Sequence, residues 1–108
     1  MAISHAEPGV VIGLFDRTSP AANKTATLIK TPHLEVIRLV LPAGKRIPPH
    51  AVPGEVVVQC LSGKVDFEAR EKRQTLQPGS LLHLEGGDLH ALEALEDATV
   101  LVTILLAG

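Results

Sequence analysis

Two histidines, His50 and His90, stand at turns: Ile47-Pro-Pro-His50 and Glu85-Gly-Gly-Asp-Leu-His90. An imidazole exchanges protons near neutral pH and binds transition metals through one ring nitrogen. A pair of them is chemically either the start of a metal site or a general base with a polar neighbour. Catalytic zinc takes three protein ligands, and non-haem iron commonly takes two histidines and a carboxylate, so a third donor decides between these uses. Glu55, His83, Glu85 and Asp88 are the groups near enough along the chain to supply one. Glu85 and Asp88 sit in the turn before His90 and could bend toward it; the face of His83 is open.

The elements that must position these groups are short strands. Leu34 to Leu41 is rich in β-branched residues and stopped by Pro42, with Glu35 and Arg38 on opposite faces, so both faces are mainly apolar. Glu55 to Leu61 is a further apolar strand after a Pro-Gly turn. Val65, Phe67 and Ala69 alternate with Asp66, Glu68 and Arg70, the cleanest period of two in the chain. Glu71-Lys72 reads as a tight turn returning through Arg73 to Leu76. Leu81 to Leu84, Leu89 to Leu95 and Ala98 to Leu106 follow, separated by turns. Val10 to Phe15 and Lys24 to Lys30 read as strands before Leu34, joined by a polar, turn-rich connection over residues 16–23. No segment has sustained helical periodicity. The expectation is an all-β fold of about nine or ten short antiparallel strands, one domain over residues 1–108 with residues 1–8 a loose extension.

Two stretches resemble the paired motifs of the cupin superfamily. Gly44, His50 and Gly63 fall in register with the first motif; Gly79, Gly87 and His90 fall in register with the second. Fifteen residues, Lys64 to Pro78, separate the motifs, a spacing similar to that of compact single-domain bacterial cupins. The resemblance implies a jelly-roll β-barrel or sandwich with its site in the lumen. Metal-dependent members hold one ion with three histidines and a glutamate. Here Val52 stands at the second histidine position and Val56 at the glutamate position, while Glu85 replaces a proline and Ala94 an asparagine. Only His50 and His90 remain as carried-over ligands to a divalent transition metal ion, an incomplete set.

Glu55 precedes the replaced glutamate by one residue, and a one-residue offset turns a strand side chain to the other face. Cys60 lies about 13 Å along the strand from position 56 at 3.3 Å per residue, too far to share an ion held there. It reads as a buried, inert thiol. The lumen that results is apolar, walled by Val52, Val56 and Val58, with His50 and His90 as its polar groups. That is how small-molecule sites are commonly built.

Composition narrows the partners. Formal net charge is -2 and Phe15 and Phe67 are the only aromatic residues besides the histidines, so neither a basic face nor stacking platforms point to nucleic acid. No basic segment followed by a long apolar one reads as a signal peptide, and the apolar tract 100–108 is far short of a membrane span; a cytoplasmic protein without membrane contact is the expectation. Mean hydropathy is +0.25, and the two-faced apolar strands point to a homodimer. Three functions stay open: a module binding a small organic ligand in the lumen, a metal-dependent dioxygenase or isomerase using His50 and His90, and a barrel without a site acting as an interaction partner. Whether the chain is an enzyme is not decided by these residues.

Overall fold

In the computed structural model, residues 7–15 and 24–106 are described. The expected connection over 16–23, most of the expected N-terminal extension and the last two residues of the apolar tail lie outside them. Nine strands run in chain order: β1 Ala26–Lys30, β2 Leu34–Leu41, β3 Arg46–His50, β4 Val56–Ser62, β5 Val65–Ala69, β6 Lys72–Leu76, β7 Leu81–Leu84, β8 His90–Ala94 and β9 Ala98–Leu105. They form two antiparallel sheets, of order β1-β2-β9-β4-β7 and β3-β8-β5-β6. This is the jelly-roll arrangement, all-β and without helices among the described residues.

Register follows the hydrophobic pattern. In the larger sheet Val56 pairs with Ile104, Val58 with Val102 and Cys60 with Val100. These residues share the inner face, and Val56, Val58, Cys60 and Val100 are at most 3% exposed. Glu35 pairs with Ile104 and Arg38 with Leu101, so the two charges do lie on opposite faces. In the smaller sheet Val65 and Phe67 point inward and are buried, while Asp66 and Glu68 face out toward Arg73. Burying a side chain such as Phe67 or Val100 contributes about 1.5–3 kcal/mol relative to leaving it in water, and this inner layer is the core.

Arg38 shows how the outer face of the larger sheet handles a charge. It is 8% exposed, and its Nε donates to the Lys24 carbonyl at 2.8 Å, so the guanidinium pins the start of β1 and the preceding segment across the sheet. Close backbone packing holds the site loops elsewhere. A side chain at Gly54 would place its Cβ 1.7 Å from the Leu105 carbonyl oxygen, so only glycine lets the turn before β4 reach the end of β9.

Two expectations are corrected. Val10 to Phe15 is not a strand: it pairs with neither sheet, and Val10, Val11 and Phe15 are 59%, 93% and 47% exposed. The run instead meets Arg38, whose Nη1 lies 3.5 Å from the Leu14 carbonyl oxygen. The tight turn after β5 is Arg70-Glu71, one residue earlier than expected, and Lys72 opens β6 opposite Ala69. Both turn residues have positive φ, 52° and 63°. That is the two-residue hairpin geometry matching strand twist, here without the Asn-Gly or Asp-Gly pair that usually signals it.

Candidate functional site in the lumen

His50 reaches the lumen because β3 is bulged. Ile47 pairs with Leu92 and His50 with His90, three residues on β3 against two on β8. In a regular strand residues three apart face opposite ways. The extra residue at Pro48-Pro49 turns His50 back to the side that Ile47 occupies, and proline suits an edge-strand bulge because it has no N–H to leave unpaired. His50 and His90 therefore stand directly opposite each other with ring centroids 4.2 Å apart and planes tilted by 57°.

Each ring is fixed by its own backbone. The Nδ1 of His50 is 3.1 Å from the Pro48 carbonyl oxygen, and that of His90 is 2.9 Å from the Asp88 carbonyl oxygen. Carbonyls only accept, so both Nδ1 atoms carry the proton and donate. The Nε2 atoms are left without a hydrogen-bond partner among the described residues. His90 is 7% exposed, yet no fully buried side-chain nitrogen or oxygen among the described residues lacks a partner; its Nε2 therefore opens on free space. His90 also lies parallel to Phe67.

Between the sheets is a cavity of about 200 Å³ lined by His50, His90, Val56, Val58, Phe67 and apolar residues of β2, β3, β8 and β9. Val52 is not on its wall. It lies in the loop between β3 and β4 and packs half-buried against the core, its carbonyl accepting from the Gly87 amide at 2.8 Å. That bond ties the loop after His50 to the turn before His90. Sequence reasoning placed Phe67 in the core without seeing it as a lumen wall. It missed Ile47 and the β9 residues Val102 and Ile104, for which the signal was their period-two alternation with Val100.

The carboxylates near the lumen are committed elsewhere. Arg70 Nε donates to Asp88 Oδ2 at 3.0 Å, and its Nη2 donates to Glu85. Asp88 also accepts from the Glu85 amide at 2.9 Å. The hydrogen bond from Arg70, then that from the Glu85 amide, holds the Asp88 carboxyl below its usual range, and the Asp88 bond raises the Arg70 guanidinium in turn. His83 pairs with Val57 and so faces outward, where its Nε2 lies 2.8 Å from Glu55 Oε1. Cys60 is 1% exposed, and burial pushes its thiol above the ordinary value.

These facts test whether the lumen fits a metal ion. Its lining includes two imidazoles, a valine at position 56 and no carboxylate. Among the described residues no cluster of three or more histidine, cysteine, aspartate or glutamate side chains could hold an ion. The donor set does not complete a metal site.

The two-sheet jelly roll, with paired motif histidines facing across its lumen, defines a class. The family model for the cupin domain matches residues 37–106, well over half of the chain, and the chain belongs to that family. A conserved protein of unknown function from Streptococcus pyogenes superposes with a TM-score of 0.78 at 22% identity, covering 100% of this chain and 99% of that one. KdgF from Halomonas sp. gives 0.73 at 20% identity, covering 78% of each. A predicted oxalate decarboxylase from Thermotoga maritima gives 0.70 at 23% identity, covering 77% of this chain and 79% of that one. These likenesses carry the fold. No curated protein matches the chain.

Proposed function

We propose that the chain binds a small organic molecule in the lumen between its sheets. The observation that supports this best is the cavity of about 200 Å³, whose wall is aliphatic and aromatic except for the His50–His90 pair. An apolar chamber with few, fixed polar groups is the general form of a small-ligand site. The test is a fragment screen followed through the methyl resonances of Val58 and Val102. Saturable shifts there support the reading, and their absence with every fragment small enough to enter overturns it.

A metal-dependent enzyme is the second reading, and one observation favours it. Both histidines donate Nδ1–H to a carbonyl and leave Nε2 uncommitted, the second-partner arrangement that metal-ligating histidines usually have. The remaining donors would have to come from substrate or water. Elemental analysis of protein from its native host separates the readings, since stoichiometric metal that is lost in His50→Ala and His90→Ala supports the enzyme.

We also propose that two copies associate through the outer face of the larger sheet, where Leu81 and Leu105 are 61% and 46% exposed. Light scattering is expected to give a dimer mass at micromolar concentration; a monomer overturns the proposal.

A further inference from the structure

Resting on the lumen-binding reading, we infer that the ligand is an uncharged molecule of one ring or one branched chain carrying a hydroxyl or N–H donor, of the phenol or branched-alcohol class. The polar end of the lumen determines this. The Pro48 and Asp88 carbonyls lie 3.1 and 2.9 Å from the two Nδ1 atoms and hold the proton there. A neutral imidazole has one donor and one acceptor nitrogen, so the nitrogen each ring leaves uncommitted, Nε2, is an acceptor, and both rings line the cavity. With centroids 4.2 Å apart, the rings offer two adjacent acceptors and no donor.

The rest of the wall offers no side-chain polarity to change that. Val56, Val58, Leu92, Val102 and Ile104 are aliphatic, and the backbone of their strands is engaged in the sheet ladders. A carboxylate or a bare carbonyl would meet two lone pairs with nothing to accept from, and desolvating it without a partner costs about 2 kcal/mol or more. No lysine or arginine lines the cavity, and Lys30, whose register leads through Glu35 to the wall residue Ile104, is paired with Glu35. Arg70 holds Asp88 and Glu85, and Arg46 lies on the outer side of its sheet opposite Glu93. A cationic ligand would find no carboxylate in the wall. Volume sets the remaining limit. An engineered cavity of about 150 Å³ takes benzene, so about 200 Å³ here takes roughly eight non-hydrogen atoms on the same scale.

The test titrates phenol, toluene and benzoate into the whole protein at about pH 8.5, where free imidazole is neutral, reading affinity by calorimetry and contacts from the histidine side-chain nitrogens and the Val58 and Val102 methyls. Phenol is expected to bind about tenfold or more tighter than toluene, the gain of one net hydrogen bond, with benzoate weakest and with Nε2 shifted in both rings. In the double variant His50→Leu with His90→Leu, which removes both acceptors, the preference for phenol over toluene is expected to fall about tenfold. Toluene or benzoate binding as tightly as phenol would sink the ligand class and leave the lumen reading standing. If none of the three moves the Val58 and Val102 methyls, the lumen reading falls and takes this inference with it.

Discussion

The imidazole of His90 lies parallel to the phenyl ring of Phe67, planes 9° apart and centroids 5.8 Å apart. Phe67 is 2% exposed and walls the lumen on one side. On its other side is a second cavity of about 200 Å³ at the seam between β6 and β7, lined also by Lys72, Gln74, Leu82 and Leu84. One side chain thus orients the deeper histidine and separates two chambers. Phe67→Ala is expected to cost about 3–5 kcal/mol, the range for truncating a buried aromatic residue, and to join the chambers so that two-ring ligands enter. Urea denaturation measures the first effect and binding of a naphthol the second; a loss below about 1 kcal/mol would show that the ring is not core.

Position 56 carries the second prediction. Val56 is 3% exposed on the lumen wall. Val56→Glu puts on that wall the carboxylate that the resemblance to metal-dependent cupins implies at this position, beside His50 and His90. The new carboxylate is buried without a partner until an ion arrives. The variant is expected to melt below wild type without metal and to gain about 5 °C or more with excess manganese, nickel or zinc. Wild type is expected to gain less than about 1 °C. An equal response of both proteins would mean that His50 and His90 already hold the ion unaided.

The ends of β2 and β7 were readable from the sequence because Pro32, Pro42, Pro78-Gly79 and Gly86-Gly87 bracket them, and β5 was readable because its charges alternate cleanly. The site was half readable. Motif glycines placed His50 and His90 at the lumen, but the direction of His50 depends on a bulge at Pro48-Pro49 that shows only when β3 is laid against β8. The outward turn of His83 was equally hidden, because a four-residue strand with leucine at three positions has no polar alternation to read. Glu85 and Asp88 were open candidates until the Arg70 turn, one residue earlier than expected, put a guanidinium across from them.

That turn yields a third prediction. Glu71 has φ 63°, and its side chain makes no hydrogen bond or ion pair among the described residues. Left-handed backbone costs an L-residue about 1–2 kcal/mol that glycine avoids, part of which glycine returns as unfolded-chain entropy. Glu71→Gly is therefore expected to stabilise the protein by about 0.5–1 kcal/mol, read as a higher urea midpoint at unchanged slope. Arg70 also has positive φ, at 52°, but its ion pairs would survive in that variant, so destabilisation would mean that the turn is not held as described.

Acid unfolding tests the Arg70 bridge. Arg70 holds the Asp88 carboxyl below its ordinary value, so around pH 4 the unfolded chain binds more protons at this residue than the native one, and native stability rises with pH. The contribution is fully present above the unfolded pKa, near 3.9, and disappears as pH falls through the lowered native value. In Arg70→Gln that carboxyl returns toward its ordinary range. The gap in melting temperature between wild type and variant is expected to be largest above about pH 5 and to close toward about pH 2. It is also expected to shrink in molar salt, because the Arg70 side chain is 60% exposed and exposed pairs are screened. A gap independent of pH would place the effect of Arg70 in packing rather than in its bond to Asp88.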